Sequence, residues 1–405
     1  MERRKVAGFS VLVLGFAASA AMAAPAGDYP GKHFQVTPAD LPKPFATPAT
    51  DNSSTSVARP AGAMLQAPKG FTVSVYASGL PSARWMAMAP NGDVFLAEPS
   101  ANRVAILRGA DKATVVQTFA DGFQRPHGLA FHDGALYVGD ANAVWKIEYK
   151  DGALKGGKKT RITKSDFPKG GHATRDIGFD ADGKLYVAIG SAGNIEEGEP
   201  AERAAVSTVN PDGTLTQFAT GLRNPVAIVN EPGTNTMWVT VNERDGYGDG
   251  LVPDYLTHIE KGAFYGWPYA YIGHTADPTY GSRRPDLVAR ATTPDLLFQS
   301  HSAPLGLVFY EGAQFPADYK GDVFVSLHGS WNSATPTGYK VVHVKIANGK
   351  PAGGYDDFLT GFAKPGTSPA QVWGRPAGLL VAKDGSLLVA DDAGKTVWRV
   401  AYTGK

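Results

Sequence analysis

The sequence predicts an all-β fold, a six-bladed β-propeller with four-stranded antiparallel blades, and three observations lead there. One unit recurs: an apolar strand, an Asn/Asp-Gly turn, then a second strand of alternating apolar residues. It is clearest at residues 85–97, 128–138, 177–187 and 378–389 and weaker at 225–240 and 304–326. The alternation and the turn dipeptides are both signatures of β-hairpins. Six copies beyond Gly70 imply about 50–60 residues per unit, the size of a four-stranded blade, and radial closure limits exposed edges. A pair of β-sandwiches is the alternative, but sandwiches do not repeat one strand-turn-strand unit.

Taken in chain order, residues 1–23 read as a secretory signal peptide: Arg3, Arg4 and Lys5, then an apolar run, then Ala21, Met22 and Ala23 as a cleavage site. The run is shorter than a spanning helix needs, so the expected location is the periplasm or the cell exterior. Residues 24–67, rich in Pro, Ala, Ser and Thr without periodicity, read as an extended arm or linker. The propeller occupies residues 68–405. Its repeat is interrupted by the insertions 246–289 and 329–337, and long loops on a rigid scaffold are where sites tend to be built.

Charge and cysteine content narrow the chemistry. With 39 Lys+Arg against 38 Asp+Glu, the net charge of +1 gives no reason to expect nucleic acid. The absence of cysteine excludes disulfides, thiolate metal sites and cysteine nucleophiles. No dinucleotide fingerprint, phosphate loop, zinc-protease helix or nucleophile elbow is present.

What remains is a recurring set of polar residues just before the repeated strands: Arg84, Arg125 and His127, His172 and Arg175, Arg223 and Asn224, His301, and Arg375. Entering the central channel at equivalent points, they would form a ring of imidazoles and guanidiniums suited to a small anion. Any one of them alone is more often a surface hydrogen-bonder; recurrence in register is what selects them. His172 is the candidate general base, because an imidazole accepts a proton near neutral pH. The segment 242–250, with carboxylates and glycines, is a candidate seat for a hard cation such as Ca²⁺, although it lacks helix-loop-helix spacing.

The chain resembles the glucose/sorbosone dehydrogenase family of soluble sugar dehydrogenases dependent on pyrroloquinoline quinone (PQQ). The segments that carry the resemblance are residues 170–176, 221–225, 242–245, 253–256 and 264–268, and residues 373–376 and 390–394 look like the sorbosone-dehydrogenase branch. The resemblance implies that His172 removes the substrate hydroxyl proton while hydride passes to the quinone. Arg223 and Asn224 would contact the cofactor near its reactive carbonyls, Arg223 stabilising oxyanion charge. Arg375 would bind a cofactor carboxylate, and His127 and Arg175 would face it. The backbone at Arg244, Asp245 and Gly246 would hold Ca²⁺. Departures from the glucose-oxidising branch are Gly171, where that branch has a carboxylate, and His301 and His328 in place of a threonine and a lysine. The expected activity is oxidation of a sugar, sugar alcohol or sugar aldehyde, with electrons leaving to a separate cytochrome or quinone acceptor. The rival readings are a calcium-dependent propeller lactonase and a non-catalytic binding propeller.

Overall fold

The computed structural model describes residues 27–404, so the expected signal peptide lies outside the described residues. Six antiparallel sheets surround a central axis, each with a repeated hairpin as its two inner strands. The innermost strands are Trp85–Met88, Gly128–His132, Arg175–Phe179, Pro225–Asn230, Pro304–Phe309 and Pro376–Val381, in blades I to VI. Each contacts the next, and the sixth contacts the first, so the ring closes. Glycine makes the close approach possible. A Cβ on Gly128 would lie 2.5 Å from the Arg175 carbonyl oxygen, and one on Gly306 would lie 2.3 Å from that of Ala377. Glycine in the innermost strands of blades II and V is therefore a packing requirement at the axis.

Blades I to III run inward to outward in simple sequence order. Blade VI takes its first three strands from the C-terminal segment and its outer strand, Phe71–Ser78, from the beginning of the propeller, paired along Thr396–Tyr402. Unfolding this blade therefore means separating the two ends of the domain. The buried apolar faces lie between blades, as in the cluster of Trp85, Phe95, Phe119, Leu129, Leu136 and Val138.

The Pro/Ala-rich segment before the propeller is a packed arm. His33–Phe34 adds a fifth strand to blade V beside Tyr355–Leu359, and Thr55–Ser56 pairs in parallel with Gln371–Val372. Between these anchors it crosses the loops at residues 247–250 and 331–334. The insertion 246–289 is not purely strand and turn. It carries a two-stranded ribbon (Ala270–Tyr271 with Thr275–Ala276) and a five-residue helix, Pro285–Ala289, around a small core of Phe264, Ala270, Leu287 and Ala291. Among the described residues no helix is long and apolar enough to cross a membrane.

Candidate active site

The loops before the inner strands converge at one mouth of the channel, and their side chains form two groups. The first spans blades III to V. His172 Nδ1 lies 2.8 Å from the Ser191 carbonyl oxygen, which can only accept, so Nδ1 carries the proton and Nε2 keeps its lone pair. Burial, followed by the nearby Arg223 guanidinium, pushes the His172 pKa down to about 4, and the imidazole is neutral at physiological pH. Gly190 sits where His172 and Asn224 meet: a Cβ there would lie 2.3 Å from Asn224 Oδ1 and 2.8 Å from His172 Cβ. Asn224 is buried, and its Oδ1 has no partner among the described residues.

Arg223 is placed as expected but is fully occupied. Its five N–H groups meet five acceptors: the Asn194 and Asn242 carbonyls at 3.1 and 3.2 Å, the Glu243 carbonyl at 2.6 Å, and Asn194 Oδ1 and Asp245 Oδ2 at 3.0 Å each. Asp245 is in turn held by Asn332 Nδ2 (2.7 Å) and lies 3.6 Å from His301 Nδ1. Burial works against its ionised form, yet His301, Arg223 and Asn332 together keep its pKa below the ordinary value. His301 Nε2 contacts the Gly248 carbonyl at 3.0 Å, so this histidine ties the loop after Asp245 to blade V.

The second group spans blades V, VI and I. Arg375 gives Nε to the His328 carbonyl (3.0 Å) and Nη2 to that of Gly329 (2.8 Å); its Nη1 has no protein partner among the described residues. Burial pulls its pKa down, which marks a cation with too little compensation. Arg84 donates only through Nη1, to Asp392 Oδ2 at 2.5 Å, and His328 Nε2 lies 3.5 Å from the same nitrogen. His328 Nε2 lies 3.0 Å from Asp392, and burial takes its pKa down to about 4, so the neutral ring donates to the carboxylate.

The His127 ring lies against Trp85, centroids 4.2 Å apart with the planes tilted by 42°, and both its ring nitrogens are buried without a partner among the described residues. Burial, then Arg84 and Arg175, keep it neutral. Arg175 is turned to the protein: it donates to the carbonyls of His172, Thr174 and Pro168. Arg203 adds the carbonyls of Pro168, Lys169, Gly170 and Gly190. Two buried arginines therefore fix the loop that carries His172. Arg203, Asn194, Asn332 and Asp392 had no signal as a set, since none repeats at an equivalent blade position.

The resemblance implies two bound groups, a quinone and calcium. A small polycarboxylate quinone fits the groups present: unspent N–H groups on Arg84 and Arg375 are donors for its carboxylates, while the unpartnered Asn224 Oδ1 and the open Nε2 of a neutral His172 are acceptors for N–H or O–H groups. Calcium does not fit the side chains of the expected segment. The Arg244 guanidinium is enclosed by Glu243, Asp277 and the carbonyls of Pro268 and Ala270. The Asp245 carbonyl accepts from Asn194 Nδ2 at 2.8 Å, and its carboxylate oxygens already accept from Asn332 and Arg223. Gly246 adds only backbone, at φ +97°. Among the described residues no three His, Asp or Glu side chains are grouped to hold a metal.

The family model described as "Glucose / Sorbosone dehydrogenase" matches residues 129–330, and a second, "TrAA12-like", matches residues 279–403. An uncharacterized protein of Borreliella burgdorferi is 28% identical over 367 residues, covering 87% of this chain and 94% of that one. The PQQ-dependent pyranose dehydrogenase of Coprinopsis cinerea is 45% identical over 56 residues, 14% of this chain and 7% of its own length. The holo structure of that organism's pyranose dehydrogenase PQQ domain superposes with a TM-score of 0.72 at 19% identity, covering 86% of this chain and 99% of that one. At that identity the likeness is one of fold.

Proposed function

The chain belongs to the glucose/sorbosone dehydrogenase family, and from that premise we propose that it is a PQQ-dependent dehydrogenase of a sugar, sugar alcohol or sugar aldehyde hydrate, working outside the cytoplasm. The observation that carries this reading is the pairing of a neutral, tautomer-locked His172 with guanidinium donors left unspent across the channel mouth.

When bound, the quinone supplies a two-electron acceptor for hydride leaving the substrate carbon. His172 Nε2 takes the hydroxyl proton as that C–H bond breaks, and the Nδ1–H bond to Ser191 keeps the ring aimed through the step. Arg175 and Arg203 keep the loop from moving as the imidazole gains charge. Arg84 and Arg375 would hold the carboxylates of the quinone, at which charge-assisted hydrogen bonds are strongest. Arg223 acts from a fixed position: its charge favours a developing oxyanion through space, while its hydrogen bonds hold Asn194, Asn242, Glu243 and Asp245.

The deciding experiment titrates purified protein with PQQ by absorbance, then follows dye reduction with aldoses, polyols and aldehydes, with lactone hydrolysis assayed in parallel. Saturable quinone binding with substrate-dependent dye reduction is expected. Lactone hydrolysis without quinone binding would overturn the reading.

A further inference from the structure

The arm between the propeller and the expected leader is gripped by both loops that flank Asp245. Asn52 is buried; its backbone N–H donates to the Trp331 carbonyl at 2.8 Å, and its Nδ2 to the Ser333 carbonyl at 2.8 Å, the Ala334 carbonyl at 3.2 Å and Ser368 Oγ at 2.9 Å. A few residues earlier, the Phe45 N–H donates to the Tyr247 carbonyl at 2.9 Å and the Phe45 ring stands edge-on to Tyr247 at 5.2 Å. Thr47 Oγ1 accepts from the Asp249 N–H at 2.9 Å. The two loops are also tied to each other: Ala334 N–H donates to Asp249 Oδ1 at 3.0 Å, and Asn332 Nδ2 to Asp245 Oδ1 at 2.7 Å.

We propose that Asn52 is a positioning residue of the active site: by capping the carbonyls of the 331–334 loop it fixes Asn332, and through Asn332 it fixes Asp245 and the Arg223 and His301 groups that converge on that carboxylate. The arm is then a wall of the site and not a spacer. The reasoning is one of hydrogen-bond accounting. Three carbonyls of a short loop with no regular secondary structure need donors: the Asn52 N–H serves Trp331, its Nδ2 serves Ser333, and Ala334 is shared between Asn52 Nδ2 and Ser368 Oγ, which donates at 3.2 Å. Removing that side chain takes the Nδ2 donor from the Ser333 carbonyl and one of two donors from that of Ala334, leaving Trp331 its backbone bond, and opens the space between arm and loop. The loss is transmitted because Asp245 is held through both carboxylate oxygens, Oδ2 by Arg223 on blade IV and Oδ1 by Asn332 on this loop.

The affinity part of the test rests on the proposed function; the exchange part does not. Asn52→Ala and Asn52→Asp would be compared with wild type and with Phe34→Ala, which loosens the arm at its other anchor, where Phe34 stacks on Tyr355 at 5.3 Å. Amide hydrogen exchange is measured on the full mature chain without cofactor, quinone affinity by titration with PQQ, and global stability by thermal melting. Both Asn52 variants should speed exchange at residues 245–250 and 330–334 and weaken PQQ binding by roughly tenfold. Phe34→Ala should lower the melting temperature and do neither. Unchanged exchange in those loops would overturn the proposal, as would faster exchange with quinone affinity kept. If wild type binds no PQQ, the dehydrogenase reading fails, and the loop exchange still decides whether Asn52 positions them.

Discussion

Arg223 and Arg375 enter the inner strands of blades IV and VI at comparable places, yet Arg223 donates to five protein acceptors and Arg375 to two. The same contrast separates the two sides of the channel mouth. On the side of blades III to V, charges are consumed by neighbouring loops, Asp245 is held by three residues, and an arm braces the outside. On the side of blades V, VI and I, Arg84 and Arg375 keep N–H groups without protein partners among the described residues. Recurrence in register places an arginine at the mouth; the acceptors around it decide whether it builds the site or binds a ligand. The side with spent charges is the one that carries the proton acceptor, where geometry matters most.

The largest effect should come from the base itself. His172→Gln retains a side chain that can reach the Ser191 carbonyl but has no basic Nε2, so turnover should fall by about two to four orders of magnitude, with quinone affinity near that of wild type. Steady-state rates with the variant saturated in PQQ measure this. Turnover close to wild type would take His172 out of the chemistry and leave this side of the mouth purely structural.

A smaller effect separates the two arginines. Arg375→Ala removes a cation with an open donor; quinone binding should weaken about 10–150-fold, the equivalent of one charge-assisted hydrogen bond at about 1.5–3 kcal/mol, while the melting temperature changes little. Arg223→Ala instead strands five acceptors, so it should lower the melting temperature markedly. If both variants lose only affinity, the contrast between spent and unspent donors has no functional meaning. Arg103, which is bound to Glu98 and Thr118 in blade I, is a control expected to change quinone affinity little.

The acid limb of the rate profile gives a still smaller effect near neutrality. The free-enzyme His172 pKa is about 4, against an ordinary 6.5, with burial as the main cause. A base must be unprotonated, so kcat/KM should stay level as pH falls from 7 through 5 and drop only as it approaches 4. A drop centred near 6.5 would mean an imidazole in contact with water. Stability has the same sign: a histidine whose folded pKa lies below its unfolded one resists protonation, so its burial costs stability as pH falls from about 6.5 toward 4.

The propeller was legible because its cause is local and repeated. Each blade must place a hairpin at the crowded axis, in blades II, III, V and VI with a glycine in the innermost strand, and that need writes a similar short pattern six times. The placement of His172, Arg223 and Arg375 at one mouth followed from the same register. What the register could not carry was the wiring. Arg223 finds its acceptors on Asn194 and in the loop after Val241, Arg203 reaches back 33 residues to the Gly170 carbonyl, and Asn52 reaches across 281 residues to Ser333. None of these has a copy in another blade. The arm was hardest to read, because its contacts use backbone groups and one amide, and its composition is that of a linker.

The smallest effect concerns the metal, and here the comparison predicts no change. Both Asp245 carboxylate oxygens are already hydrogen-bonded, by Arg223 and Asn332, and Arg244 is enclosed by Glu243 and Asp277, so the Asp245 carboxylate does not require a cation to neutralise it. A protein whose carboxylates need calcium shows it on chelation, since the uncompensated charges repel and the melting temperature falls. For this chain without cofactor, melting curves in excess chelator and in millimolar calcium should coincide within about 1 °C, because a ligand that the folded state does not bind contributes nothing to its stability. A calcium-dependent rise of several degrees would locate a cation that the Arg223 network does not account for. Repeating the melt with Asp245→Asn would then tell whether that cation sits on the braced side of the mouth, where the rise should vanish, or elsewhere on the propeller, where it should persist.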